Sequence, residues 1–284
     1  MLELHCHTTC SDGTLTPSQL VEAAIRAGVS ALAITDHDTL SGWSEAISFA
    51  APQAIATAQS NNLEIVPGVE LSTVHNNRSL HILGFYPDAE QLSPSLSKRL
   101  EGRKRRAEQM VAKLEALGYP IKLPELGEGM ALARPHLAKA LVKAGHVQST
   151  REAFDRLLGD DQPAYVHYEK FSISEGIALL RNCGGVPVWA HPYLFRGGEV
   201  EEVLKELIDA GLMGIEVYHP SHTPKEIRHL KALGTEYGLL ITGGSDYHGP
   251  SPDGKSSSST QLNMLHLPLS LLAPIKQAAQ NLKS

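Results

Sequence analysis

An α/β barrel with a helical insertion is the fold class that the sequence predicts, and three observations predict it. Short apolar runs alternate with helix-like segments over the first 90 residues and again after residue 170. The metal-binding types Asp36/His37, Glu70, His81, His191, His219/His222 and Asp246/His248 stand at or just past the ends of those runs. Ligands that gather from many strand ends at one rim mark a TIM-like barrel rather than a doubly wound sheet. Between residues 93 and 170 no clear strand interrupts the helical pattern. The expected division is a barrel domain formed by 1–92 and 171–284, and a mainly helical insertion, 93–170, that acts as a substrate cap.

The elements follow in order. Leu2–His7 is a short strand, and side chains in a strand alternate faces. His5 and His7 therefore point one way and Cys6 the other. Thr16-Pro17-Ser18 opens a helix, with Thr16 as cap, Pro17 in the first turn and Gly28 at the end. Ala31–Thr35 is an apolar strand stopping at Asp36-His37-Asp38. A helix over about Trp43–Gln59 is expected to be interrupted or displaced by Pro52. Glu64–Glu70 and Ser79–Tyr86 are strands, and repeated parallel β-α units are expected throughout. In the insertion, 98–118, Arg134–Gly145 and Thr150–Leu158 read as helices. Beyond it come helix Ser174–Asn182, strand Val186–Ala190, helix Val200–Ala210 and strand Gly214–Val217. Helix Pro224–Tyr237, strand Leu239–Thr242 and a final helix Leu269–Leu282, whose start Pro274 delays, complete the chain. No internal repeat is visible.

Composition narrows the function. A formal charge of −6 argues against a protein that coats nucleic acid by bulk electrostatics. Three bound divalent ions would add roughly six positive charges at one spot and make it attractive to phosphate. Histidine is the outlier, with 14 in the chain, and neutral imidazole is a common metal ligand. Cys6, Cys10 and Cys183 are an odd number in a chain too large to need disulfide staples, which predicts a reducing, cytoplasmic setting. A strand starting almost at Met1 leaves no room for a signal peptide, and no apolar run approaches the roughly 18 residues that span a bilayer. Nothing calls for a membrane or an obligate protein partner.

His5, His7, Asp12, His37, Glu70, His81, His191, Asp246 and His248 form the candidate metal set. All are nitrogen or oxygen donors, and no cysteine pair joins them, which excludes a zinc ribbon or an iron–sulfur site. The set is too large for one ion and suits two or three, with Glu70 as the bridge because a carboxylate has two oxygens. Donors of this kind accept manganese, iron(II) or zinc, and availability decides among them; manganese is the ion expected first.

Six strings carry a resemblance. They are His5-Cys6-His7-Thr8-Thr9-Cys10-Ser11-Asp12-Gly13, Ile34-Thr35-Asp36-His37-Asp38, Pro67-Gly68-Val69-Glu70, His81-Ile82-Leu83-Gly84, Ala190-His191-Pro192 and Gly244-Ser245-Asp246-Tyr247-His248. In this order they resemble the motifs of the polymerase and histidinol phosphatase (PHP) superfamily. Glu3 stands where that family usually has aspartate. The resemblance implies a distorted (β/α)7 barrel and hydrolysis of phosphate esters by a metal-activated hydroxide. It also implies one ion on His5, His7, Glu70 and Asp246, a second on Glu70, His81 and His191, and a third on Asp12, His37 and His248. Within the superfamily, the length and the insertion resemble the YciV/TrpH-type branch. That branch contains a 5′→3′ exoribonuclease and a nucleoside 3′,5′-bisphosphate phosphatase. The expected substrate is thus a 3′,5′-bisphosphate or the phosphorylated 5′ end of a short RNA. A small-metabolite phosphatase, for instance of histidinol phosphate, is the alternative, and a non-catalytic metal-binding module is the rival from another class.

Ala133-Arg134-Pro135-His136-Leu137-Ala138 resembles that branch's Arg-Thr-His-Phe-Ala segment, with Pro135 in place of the threonine. Arg134 is the candidate phosphate clamp, since a guanidinium binds phosphate bidentately, and His136 goes with it. His222 is the candidate phosphate binder or proton donor to the leaving oxygen, with His219 weaker, and Arg196 is a second clamp. The run Arg103-Lys104-Arg105-Arg106 is read as a solvated helix face. Gly249–Ser256 fits the phosphate-loop pattern, but its two prolines, the adjoining metal candidates Asp246 and His248 and the serine run that follows make it a decoy. Lys255–Thr260 is read as a flexible serine-rich loop, and Cys6 as core packing.

Overall fold

Backbone pairing wraps one sheet almost into a barrel. In the computed structural model, which describes residues 1–56, 63–127, 129–167, 171–250 and 260–284, the strands are β1 (Leu2–Glu3), β2 (Ala31–Ile34), β3 (Glu64–His75), β4 (Arg78–Phe85), β5 (Phe171–Ser172), β6 (Val186–Trp189), β7 (Gly214–Tyr218) and β8 (Leu240–Gly243). Their order is β1-β2-β3-β4-β6-β7-β8, with β5 added to β3. The two ends of this path meet beyond β1 and β8, where His7 N–H donates to the Tyr247 carbonyl (2.9 Å) and Tyr247 N–H to that of His5 (3.3 Å). No helix among the described residues is long and apolar enough to cross a membrane.

The expected run of parallel units is broken once. β4 is antiparallel to both β3 and β6, so β3 and β4 form a hairpin with no helix between them. Its turn is Asn76-Asn77, both with positive φ (48° and 59°), the backbone that matches the twist of paired strands and that asparagine tolerates. β3 runs to His75 rather than stopping at Glu70, because this turn continues the ladder past the rim.

The helices are α1 (Pro17–Arg26), α2 (Gly42–Ala56), α3 (Ala89–Ala116), α4 (Arg134–Lys143), α5 (Thr150–Ala153, continued by a π turn over Phe154–Leu158), α6 (Ile173–Asn182), α7 (Val200–Asp209), α8 (Pro224–Glu236) and α9 (Leu272–Lys283). α1 starts at a capping box: Thr16 Oγ1 accepts from Gln19 N–H, and Gln19 Oε1 accepts from Thr16 N–H. α2 runs through Pro52 instead of breaking there, and the expected end at Gln59 lies outside the described residues. A 3₁₀ turn, Leu269–Leu271, precedes α9.

α3 begins nine residues before the expected helix, capped by Asp88, whose carboxylate accepts from Gln91 N–H (2.9 Å). Leu92 and Leu96 anchor this first part in the core between the sheet and α6 to α8, and that packing overrides Pro94 inside the helix. Further along, Ala107, Met110 and Leu114 enter a different apolar cluster drawn wholly from residues 107–166. The expected boundary at 92/93 therefore falls within a continuous helix that belongs to two cores. A third cluster collects Leu4, Ala33, Val66, Phe85 and Val188 from successive strands, with Leu272 and Ile275 of α9 closing it.

Candidate metal centre

His5 and His7 emerge from β1 on one face, fully buried, while Cys6 packs with Leu20, Leu32 and Ile34 on the other. Two imidazoles on one side of a strand need carboxylates to meet them, and Glu70 does so at the centre. Its Oε2 lies 3.3 Å from His5 Nε2, 3.2 Å from His7 Nε2 and 3.0 Å from His37 Nδ1. Its Oε1 lies 2.8 Å from His81 Nδ1 and 3.1 Å from His191 Nε2. Asp246 Oδ1 approaches the same His5 and His7 nitrogens at 3.3 and 3.1 Å. Asp12 stands on the far side of His7, with Oδ1 3.3 Å from His248 Nε2 and Oδ2 3.8 Å from His37 Nε2.

The fold holds these groups from behind. Glu216, buried in β7, places its carboxylate 3.1 Å from His5 Nδ1 and accepts from His191 N–H at 2.8 Å. A carboxylate on Nδ1 fixes the tautomer that turns a free Nε2 lone pair into the cluster. Asp36 accepts from Thr8 N–H, Thr8 Oγ1 and Ser11 Oγ, which shapes the turn bearing Asp12. Glu3 accepts from Ser245 N–H and Asn263 N–H and so ties β1 to the loop of Asp246. Burial pushes its carboxyl up to about 7, against the pull of those two donors.

Burial alone would depress every one of these imidazoles. At His5 the carboxylates of Glu216, Asp246 and Glu70 outweigh it and hold the pKa well above the usual range. At His7 burial is likewise overcome, by Asp246 and Glu70, and the pKa rises to about 10. His37 goes the other way: burial wins over Glu70 and Asp12 and lowers it to about 3. Burial would raise Glu70, but His37, His81 and His5 hold it well below the carboxylate range.

The donor set fits divalent cations on an observation of its own. His5 Nε2, His7 Nε2, His37 Nδ1, Asp12 Oδ1, Glu70 Oε2 and Asp246 Oδ1 are buried and make no hydrogen bond among the described residues. Buried polar atoms are almost always paired, so six orphans converging on one spot ask for a shared positive charge. Four groups of donors lie close enough to hold an ion: His7, Asp12, His37 and His248; His5, His7 and Asp246; His5, Glu70 and His191; and His37, Glu70 and His81. All nine residues of the candidate set are brought together here. Glu70 and His81 sit within β3 and β4 rather than at strand ends, because the hairpin overhangs the rim.

The candidate substrate residues are placed less uniformly. His219 is beside the cluster, its Nε2 3.6 Å from Asp246 Oδ2, while its Nδ1 accepts from Ser221 N–H. His222 is one ring further out, 5.3 Å from His219 between centroids. Its Nδ1 donates to the Val217 carbonyl (3.0 Å), and burial lowers its pKa. Arg134 donates to Asp160 Oδ1 (2.8 Å) and to the Leu158 carbonyl (3.3 Å). His136 Nδ1 accepts from Ala133 N–H, and burial lowers its pKa despite the field of Asp12. Arg196 is exposed, folded onto the Tyr193 carbonyl of its own loop.

One sequence expectation is corrected. The run Arg103–Arg106 is not a solvated face throughout. Arg103 is buried, and its Nε and Nη2 donate to Asp38 Oδ2 (2.8 and 2.6 Å), with Nη2 also donating to Ser72 Oγ. Arg106 Nε donates to the Val166 carbonyl (2.7 Å), while Lys104 and Arg105 are exposed. The signal was present: Leu92, Leu96, Arg103, Ala107, Met110 and Leu114 share one helical stripe, so Arg103 occupies a core register. Glu216 was missed as well, although a lone glutamate in the apolar run Gly214–Tyr218 marks a buried charge. Lys139, also missed, brings Nζ to 3.5 Å from the Asp12 carbonyl. Of the phosphate-loop decoy, residues 251–256 lie outside the described residues.

Comparison with known proteins bears on the same residues. A family model for the PHP domain matches residues 3–158. A 3′,5′-nucleoside bisphosphate phosphatase of Chromobacterium violaceum is 31% identical over 268 residues, 92% of this chain and 91% of that one. The 5′-3′ exoribonuclease Rnm of Escherichia coli is 33% identical over 257 residues, 88% of this chain and 86% of the other. Among solved structures, one from Bifidobacterium adolescentis described as a metal-dependent phosphoesterase superposes with a TM-score of 0.85 at 33% identity, covering 98% of this chain and 96% of that one.

Proposed function

This chain belongs to the PHP domain family, and from that premise we propose a metal-dependent phosphoesterase that acts on phosphorylated nucleotides, either a nucleoside 3′,5′-bisphosphate or the 5′-phosphorylated end of a short RNA. The carrying observation is Glu70, which faces three imidazole nitrogens with one oxygen and two with the other inside a set of orphaned donors. Two or three divalent ions suit that set, manganese first and iron(II) or zinc as alternatives. When bound they supply a nucleophile at neutral pH and polarise the phosphoryl group.

In this reading His5, His7, Glu70 and Asp246 hold one ion, Glu70, His81 and His191 a second, and Asp12, His37 and His248 a third. Glu216 keeps His5 and the His191 loop in place. His219, with Nδ1 occupied as an acceptor, carries its proton on Nε2 beside Asp246, where it can be given to a leaving oxygen. His222, the sequence's own candidate for this step, stands one ring behind with its Nδ1 taken by the Val217 carbonyl, so in this reading the donor role passes to His219 and His222 supports it. Arg134 exchanges Asp160 for substrate phosphate, with His136 beside it and Arg196 at the outer edge. The segment 93–170 acts as the cap. Three contacts across to the metal-bearing loops support this: Ala131 N–H to the Cys10 carbonyl (2.8 Å), and the Thr39 and Ser41 hydroxyls to the Gly129 carbonyl (2.6 and 2.8 Å). Cys6, Cys10 and Cys183 are free and buried, which suits the reducing cytoplasm.

Processing from the 5′ end of RNA has its own support. A cavity of about 640 Å³ along α3 is lined by Lys98, Arg99, Arg105, Arg106 and His167, with Glu175 the one acidic side chain, and Arg99 stacks 3.4 Å over the Phe171 ring. Such a mainly basic track, with a guanidinium plane backed by an aromatic ring, suits a single strand. Histidinol phosphate is not favoured by the relatives.

The test is a panel of adenosine 3′,5′-bisphosphate, a 5′-phosphorylated oligoribonucleotide and histidinol phosphate, run with the metal-loaded protein. Turnover of either nucleotide, lost in His191→Ala and Asp246→Ala with the circular-dichroism spectrum kept, is the expected outcome. Full activity in either variant sinks the assignment.

A further inference from the structure

A second cavity, of about 620 Å³, lies between α4 and the loop before it. On α4, His136, Lys139, Ala140 and Lys143 are spaced i, i+3, i+4 and i+7, so they line one face of the helix. Across from them, Ile121 and Leu123 form an aliphatic wall whose inner edges pack on the 107–166 core. The wall is held in place: His146, beyond the end of α4, bonds through Nε2 to the Pro120 carbonyl at 2.9 Å. The cavity is therefore pre-formed, a slot with an aliphatic wall on the loop side and, on the helix side, the methyl groups of Ala140 and Ala144 set among His136, Lys139 and Lys143.

Its position gives it meaning. Lys139 lines the slot and also reaches to 3.5 Å from the carbonyl of Asp12, a residue of the metal cluster. One end of the slot thus adjoins the place where a phosphoester would be cleaved, and the organic part of that ester needs somewhere to go. Aliphatic side chains on facing walls make dispersion contact with the two flat faces of a base, and lysines beside them meet phosphate charge.

We propose that this slot is the nucleoside subsite: Ile121, Leu123 and Ala140 sandwich the base, and Lys139 and Lys143 bind a phosphate of the same substrate that is not being hydrolysed. The inference rests on the phosphoesterase reading above, but it can fail alone. Ala140→Phe fills the slot from the helix side, and Leu123→Glu spoils the opposite wall from an irregular segment where the backbone is under no helical constraint.

The direct probe is calorimetric binding of adenosine 5′-monophosphate to the metal-loaded protein. Ala140→Phe and Leu123→Glu are each expected to weaken it at least tenfold. The kinetic readout is the ratio of kcat/KM for adenosine 3′,5′-bisphosphate to that for ribose 5-phosphate, a base-free ester. That ratio is expected to fall at least tenfold through KM for the nucleotide. Lys143→Glu, at an exposed position, guards against a folding artefact and is expected to raise KM for adenosine 3′,5′-bisphosphate more than for ribose 5-phosphate, which has no spared phosphate. Adenosine monophosphate binding that is absent in the wild type, or unchanged in both slot variants, overturns the subsite. Failure of the parent reading looks different: the wild type then hydrolyses neither the nucleotide nor the base-free ester, whatever it binds.

Discussion

The metal cluster and the helical segment proposed as its cap are built on opposite principles. In the cluster every imidazole has a carboxylate in front of it and several have a brace behind, as His5 has Glu70 before it and Glu216 at its back. Those braces come from strands and loops far apart in the chain, and almost all are buried. In the cap, the candidate clamp Arg134 is held by Asp160, whose side chain is 38% exposed, and by one carbonyl. Exchanging a half-exposed ion pair for a phosphate costs little, whereas moving a buried carboxylate out of the cluster would strand several charges at once. The difference teaches where rigidity is spent: the groups able to hold cations are fixed, and those proposed to meet substrate can change partners.

The comparison breaks first at its strongest point. Asp246→Ala is expected to remove metal and turnover together, read by elemental analysis beside a nucleotide assay; metal retained at wild-type stoichiometry would show that the cluster is redundant.

The joint between the two regions comes next. Arg103→Met leaves Asp38 buried without its cation and is expected to cost about 3–5 kcal/mol in urea unfolding. The pH dependence gives the sign. In the wild type, Asp38 is held below the carboxylate range: burial opposes this, but Arg103 and the Ser72 N–H outweigh it. The pair's stability is thus present above the unfolded pKa of about 3.9 and lost as pH falls through the lower folded value. Without Arg103, burial dominates and the folded state holds the proton more tightly than the unfolded one. Relative to wild type, the variant's stability should then fall as pH rises from 5 to 7; a difference that does not vary with pH would contradict the burial argument.

Removing a brace while keeping the ligands is a smaller change. Glu216→Gln is expected to weaken metal binding or turnover about 10–100-fold, the usual scale for a carboxylate behind a metal-bound histidine. Metal titration followed by activity checks it, and an effect as large as that of Asp246→Ala would mean that Glu216 itself is a ligand. The smallest effect is reserved for the cap's surface. Arg105→Gln is expected to leave stability within about 0.5 kcal/mol and to lower the salt sensitivity of oligonucleotide turnover, without altering that of a mononucleotide.

Much of the centre was legible because its signals are local. Strand alternation separates His5 and His7 from Cys6 within three residues, and Thr16-Pro17 announces a helix by the hydrogen bonds available to its first turn. The hairpin is locally written too, in Asn76-Asn77, two asparagines with positive φ between apolar runs. Arg103 was hidden among like charges, where only its register with Leu96, Ala107 and Met110 distinguishes it from Arg105.

The sequence by itself determined the donor types, the faces they occupy and the order in which strands deliver them, since each depends on bond geometry over a few residues. Only the tertiary structure decided that Glu70 divides its two oxygens among five histidines, that Glu216 stands behind His5, and that one helix serves two cores. Those facts depend on the distance between residues up to 211 positions apart, which closure of the sheet sets and no local periodicity encodes.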